Sequence, residues 1–214
     1  EGGHLETLEG HQLTLRFPGP DRGIENIDLH LTKGTFTVIT GRVGAGKSTL
    51  LQTLLGLLPL QSGDIYWNGK RVDEPGEFFV PPRSAYTSQV PLLFSESLKD
   101  NILMGYPADE TALDAAVHAA VLDDDIAEMP NGLATVVGPK GVKLSGGQRQ
   151  RAAGARMFVR QASLLVFDDI SSALDVETEQ ALWKRIFTTQ KDATCLVVSH
   201  RKPALKRADQ IILL

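Results

Sequence analysis

The chain has 214 residues, a formal net charge of −4, 42% hydrophobic residues and one cysteine. That length suits one soluble domain, or a domain with a subdomain, able to bury a real core. The acidic balance excludes a nucleic-acid binder working by bulk charge, and a lone cysteine excludes an intrachain disulfide framework and suits a reducing compartment.

No apolar run reaches the length of a membrane span, because LLQTLLGLLPL is broken by Gln52, Gly56 and Pro59. There is no signal-peptide pattern. The chain starts at Glu1 without methionine and stops at IILL, a strand-like run, so it reads as a fragment of a longer polypeptide with room elsewhere for a membrane domain.

In chain order, HQLTLRF, GIENIDLHL and TFTVIT predict strands, separated by the turn signals PGPDRG and TKG. GRVGAGKSTLLQTLLGLL then passes from a Gly-rich loop into an apolar-rich helix, and SGDIYWNGK returns to strand with a hairpin turn at Asn68-Gly69. From about 91 to 160 the pattern is mostly helical, including ADETALDAAVHAAVLDDDIAEM and GGQRQRAAGARMFVRQA. SLLVFDD, VETEQALWKRIFTTQ and ATCLVVSH then give strand, helix, strand, the succession of a parallel core sheet. Cys195, inside the last of these strands, reads as core packing.

Three stretches carry chemistry. GRVGAGKS fits G-x-x-x-x-G-K-[ST] in the required setting, after a predicted strand and before a predicted helix. Its glycines let backbone N–H groups face inward beside a positive helix N-terminus, Lys47 adds a point charge for the β- and γ-phosphates, and Ser48 adds a hydroxyl for Mg²⁺. In LLVFDD an apolar run ends in two adjacent carboxylates, which repel and are expensive to bury without a cation or hydrogen bonds. Asp168 is the candidate to fix the metal through its water shell, and Asp169 is then nearest the attacking water. In LSGGQ, Ser145 reads as an N-cap, and Gly146 and Gly147 leave room for a phosphate at the first-turn N–H groups; read alone, the motif is equally a capped helix start.

GRVGAGKST, LSGGQ, LLVFDD, SALD and VVSH, in this order and spacing, resemble the nucleotide-binding domain of ATP-binding cassette (ABC) proteins over nearly the whole chain. The resemblance implies an α/β fold: a P-loop NTPase core with a mixed or parallel sheet, an N-terminal antiparallel β subdomain and an inserted α-helical subdomain. All 214 residues would form one domain, with about 1–90 and 161–214 as the ATP-binding core and about 91–160 as the helical part. It implies ATP and Mg²⁺ as cofactors and a second nucleotide-binding domain paired head to tail.

On that resemblance, Gly41, Arg42, Val43, Gly44, Ala45, Gly46, Lys47, Ser48 and Thr49 bind ATP in this chain's own site, while Ser145, Gly146, Gly147 and Gln148 complete the partner's. Gln89 matches a residue that touches Mg²⁺ or its water and links to the membrane domain; without the family it reads as a surface glutamine. Asp175 matches a loop crossing the dimer interface, and His200 a histidine that contacts the γ-phosphate, where a lone His at a strand end would otherwise be solvated or capping. Phe17 lies about where the family stacks an aromatic ring on adenine; its other reading is core packing. The metal set is Ser48, Gln89 and Asp168, and the catalytic set Asp169, His200, Gln89 and Lys47.

Two positions depart from the family pattern. Pro139 replaces the usual acidic residue of the segment before Leu144, which exporters use to sense the opposite subunit. Asp169 replaces the glutamate that usually acts as general base, and its shorter side chain predicts a site that binds ATP well and hydrolyses it slowly. The partner domain is then either a different chain with a fast site or a second copy. SQVPLLFSESLKDNILMG and TVVGPKGVKLSGGQ look more like exporters than importers, which favours a fused transmembrane domain and a place at the cytoplasmic face of a membrane, with no nucleic acid. The competing classes are a soluble ABC mechanoenzyme, which would carry coiled-coil insertions or tandem cassettes, and an ATP-gated regulatory module with little hydrolysis.

Overall fold

The computed structural model describes residues 3–19, 22–140, 142–190 and 192–214. Pro20 and Asp21 of the first turn signal and Gly141 in the stretch before Leu144 lie outside the described residues. In chain order the elements are β1 (Thr7–Arg16), β2 (Gly23–Thr32), β3 (Phe36–Thr40), α1 (Lys47–Leu54), β4 (Ser62–Trp67), β5 (Lys70–Arg71), α2 (Pro75–Phe78), β6 (Ser84–Thr87), α3 (Leu98–Leu103), α4 (Glu110–Ala119) and α5 (Asp123–Glu128). A 3₁₀ turn (Gly132–Ala134), α6 (Gly146–Phe158), β7 (Leu164–Asp168), α7 (Val176–Thr189), β8 (Thr194–Val198), α8 (Lys202–Arg207) and β9 (Gln210–Leu213) follow. They fall into two compact units, one of Glu1–Ala85, Ala162–Asp168 and Asp192–Leu214, the other of Tyr86–Gln161 and Asp169–Lys191.

The first unit holds the antiparallel sheet and, of the second sheet, β3, β7, β8 and β9. β2, β1, β4 and β5 form an antiparallel sheet in that order. The alternation in Leu13 and Leu15 puts apolar side chains on one buried face. The Asn68-Gly69 hairpin forms as predicted: both residues have positive φ, 52° and 74°, which a two-residue turn matched to strand twist requires. Asn68 also accepts from the Glu6 and Thr7 N–H groups at 2.7 and 3.0 Å, so its side chain fastens the start of β1.

The second sheet runs β6-β7-β8-β3-β9, with β7, β8, β3 and β9 parallel. β7 and β8 are buried at every position, as strands covered on both faces must be, which explains their apolar runs Leu164–Phe167 and Cys195–Val198. In register, Cys195 lies between Phe36 and Leu165. Burial pushes its thiol up to about 12. Since the thiolate is the reactive form, we expect Cys195 to stay unlabelled by an aromatic disulfide reagent in the folded protein and to react fully in denaturant; labelling at the rate of a free thiol would contradict this packing.

The second unit is helical, and side-chain caps set its starts. Ser97 accepts from the Asp100 N–H at 2.9 Å and Asp109 from the Ala112 N–H at 2.7 Å. Arg156 donates to the Asn101 and Leu92 carbonyls, and Arg160 to those of Ile102 and Leu103, so two guanidinium groups satisfy the C-terminal end of α3. The helical run predicted over 108–129 breaks in two: Val121 has φ +58°, and its carbonyl accepts from Arg151. A β-branched residue in the left-handed region is strained. The bond to Arg151, itself ion-paired with Asp125, supplies a tertiary reason for the break that helical periodicity does not contain. α7 belongs with these helices, since Arg185 donates to the His118 carbonyl at 2.9 Å and pairs with Asp123.

Candidate functional site

In an open parallel sheet, ligands sit beyond the carboxyl ends of the strands. Three candidates arrive there in the first unit: β3 runs into the loop 41–46, β7 ends at Asp168, and β8 ends just before Ser199 and His200. Because the sheet order is β7-β8-β3, the His200 strand lies between the other two.

The loop keeps its shape through glycine. Gly46 precedes α1 with φ +93°, and a Cβ there would lie 2.5 Å from the Gly23 carbonyl oxygen; at Gly41, φ is +145° and a Cβ would lie 2.2 Å from the Leu214 oxygen. Neither position tolerates a side chain. No side chain caps α1 and no acid lies in its first turn, so its leading N–H groups keep their electropositive character. Lys47 reaches back across the loop, its Nζ donating to the carbonyls of Gly41 at 3.0 Å and Arg42 at 2.7 Å. Val43 is fully exposed at the loop's outer turn.

Asp168 is 3% exposed, and Ser48 donates its hydroxyl to Asp168 Oδ1 at 3.0 Å. A hydroxyl and a carboxylate one hydrogen bond apart are hard oxygen donors, the kind Mg²⁺ takes. Among the described residues no group of three or more His, Cys, Asp or Glu could cage a metal by itself. This pair therefore fits an ion that arrives with phosphates and keeps several waters, and does not fit one held by protein alone.

Phe17 is 39% exposed, so it is not core packing. It lines a cavity of about 260 Å³ with Arg16, Arg22, Gly23, Ile24 and Glu25. Gly23 and Ile24 are also the residues that Gly46 abuts, so this cavity adjoins the phosphate loop.

The second unit holds the remaining candidates. Gln89 donates to Asp169 Oδ2 at 3.4 Å, bringing together the two side chains that the sequence assigned to one reaction. Asp169 has φ +57°, a left-handed conformation that aspartate tolerates better than most residues. Ser145 caps α6 in a full capping box: its Oγ accepts from the Gln148 N–H at 3.1 Å, and Gln148 Oε1 accepts from the Ser145 N–H at 2.8 Å. The other end of the Gln148 amide donates to Asp125 at 2.9 Å, so that side chain is occupied in holding the helix start. Gly146 and Gly147 press against the following loop, where a Cβ at 147 would lie 3.0 Å from the Ala173 oxygen. Asp175 caps α7, accepting from the N–H and hydroxyl of Thr178 at 2.8 Å each. Those hydrogen bonds hold its carboxyl below the usual aspartate range.

Sequence reasoning missed Asp125 and Gln150. Gln150 carried a signal: it falls on the buried stripe of α6 with Gly147, Gly154 and Met157, where a polar residue needs a partner.

Backbone donors for phosphates, set beside a hydroxyl and a carboxylate at a strand end, are the working parts of a P-loop nucleotide-binding domain, and that is the class the first unit defines. A family model described as ABC transporter matches residues 24–172. The chain is 36% identical over 210 residues to the ATP-dependent lipid A-core flippase of Pectobacterium atrosepticum, covering 96% of the chain and 36% of that protein. It is 38% identical over 212 residues to antigen peptide transporter 2 of Mus musculus, covering 97% of the chain and 30% of that protein. A solved structure of a bacterial Atm1-family ABC exporter with ATP bound superposes with a TM-score of 0.88 at 28% identity, over 98% of the chain and 37% of the exporter. The chain belongs to the ABC transporter family. It spans about a third of the length of these relatives.

Proposed function

We propose that this chain is the ATP-driven motor of a membrane exporter, one nucleotide-binding domain that pairs head to tail with a second and has a slow site of its own. The observation that carries the reading is the Ser48–Asp168 pair at 3.0 Å beside a glycine-shaped phosphate loop. In this role the N–H groups of Gly41–Thr49 and the Lys47 ammonium hold the phosphates, Ser48, Asp168 and Gln89 hold Mg²⁺ directly or through water, and Phe17 stacks on adenine. When bound, Mg²⁺ neutralises charge on the β- and γ-phosphates. Asp169 orients the attacking water and takes its proton, and His200 contacts the γ-phosphate.

Ser145, Gly146, Gly147 and Gln148 complete the partner's site, with Asp175 at the interface between domains. A closed ATP-bound dimer that reopens on hydrolysis is the two-state element that would drive a transmembrane domain, fused in the full-length protein, from the cytoplasmic face. Among the described residues no helix is long and apolar enough to cross a membrane, so the span itself would be contributed from outside them.

The test is phosphate release by the full-length protein in proteoliposomes with ATP, with and without Mg²⁺, beside a direct ATP-binding measurement. We expect release that chelation of Mg²⁺ abolishes. ATP binding with no release would favour the ATP-gated regulatory module, a reading that the short Asp169 carboxylate supports; neither binding nor release would overturn both.

A further inference from the structure

One buried side chain joins Asp169, its glutamine neighbour and α6. Gln150 lies one turn into α6 and is 5% exposed. Its Nε2 donates to Ser172 Oγ at 2.7 Å and makes longer contacts with the main-chain carbonyls of Asp169 at 3.4 Å and Gln89 at 3.5 Å. Its Oε1 accepts from the Ala173 N–H at 3.1 Å. The two carbonyls belong to the same two residues whose side chains meet at 3.4 Å, so a single amide touches the main chain on both sides of the Gln89–Asp169 pair.

We propose that Gln150 is a positioning residue that fixes Asp169 against Gln89 and ties both to α6. Asp169 needs such a hold: at φ +57° its backbone sits in a sparsely populated region, which persists only when the surroundings over-determine it. The Ser172 and Ala173 contacts fix the turn that follows Asp169, and the same turn carries the Ala173 oxygen that Gly147 abuts. A displacement at the first turn of α6 therefore reaches the Asp169 backbone through one amide and one loop. The inference rests on the assignment of Asp169 as base.

Phosphate release by the full-length protein tests it, with own-site turnover defined as the part that Asp169→Asn removes. Gln150→Glu keeps the acceptor for Ala173 but replaces the donor with a carboxylate facing two carbonyl oxygens; Gln150→Met removes both functions at similar volume. Both are expected to lower own-site turnover about 10- to 100-fold, the scale of a misplaced catalytic group. The KM for ATP should stay within about twofold, and the thermal stabilisation by ATP should persist, because no phosphate-loop residue is altered. Combined with Asp169→Asn, neither variant should lower the rate further.

A purely structural glutamine would give a different pattern, with KM and thermal stability failing together with turnover; that result overturns the proposal. So does own-site turnover within about twofold of wild type in either variant, or a further loss on top of Asp169→Asn. If Asp169→Asn itself removes no turnover, the assignment of Asp169 as base fails; that outcome is distinct from the others and overturns this proposal with it.

Discussion

Replacing Asp169 with glutamate is expected to raise own-site phosphate release about tenfold or more. General-base catalysis is typically worth about 10²–10⁴-fold, and it requires the base within hydrogen-bond reach of its proton. Glutamate adds one methylene, about 1.5 Å of reach. Against this gain stands the backbone: at φ +57° aspartate is among the better-tolerated residues, so Asp169→Glu should lower thermal stability slightly while raising turnover. Asp169→Asn keeps the shape and removes the proton acceptor, and it should abolish own-site release. Phosphate release in the full-length protein, read for all three side chains at saturating ATP, decides the matter. No rise with glutamate but loss with asparagine would mean that Asp169 already serves as the base. No change with either would place all turnover at the partner's site.

The second large effect is expected at Lys47. Its ammonium spans the loop to the Gly41 and Arg42 carbonyls, both at the partly exposed loop and within reach of water once the lysine is gone, so Lys47→Ala should leave the fold intact. For ATP the loss is severe. A hydrogen bond to a charged group contributes about 1.5–3 kcal/mol. Each such bond lost to a phosphate lowers affinity about 10- to 150-fold. Direct titration of ATP against the variant should show that drop, with hydrolysis lost in parallel, while its unfolding midpoint without nucleotide stays within a few degrees of wild type. Wild-type affinity in Lys47→Ala would remove this loop from the ATP site.

The loop 41–46 was legible because its geometry is local. The glycines at 41 and 46, the lysine and the serine are fixed relative to one another by a turn and the first turn of a helix, and the sequence spacing contains that geometry. The Asn68-Gly69 hairpin and the Ser145 cap are local in the same sense. Phe17 was legible only as an alternative between stacking and packing, because exposure is a property of what surrounds a residue; its cavity beside Gly23 and Ile24 removes the packing alternative. The break at Val121 was not legible, since the Arg151 that meets its carbonyl lies on another helix.

By itself the sequence determined the glycine-shaped loop 41–46, the apolar strands, the capped helix starts and the two adjacent aspartates, all features set by rules that act over a few residues. The tertiary structure decided the strand order that lines up the ends of β7, β8 and β3, and the approach of the Ser48 hydroxyl to Asp168. It also decided that the Gln148 amide is spent on Asp125 while Gln150 reaches the Asp169 carbonyl. The physical reason is the same in each case. Sheet register and buried hydrogen bonds pair residues far apart in the chain, and a polar residue on a buried helix face reveals only that it must have a partner; the fold alone says which one.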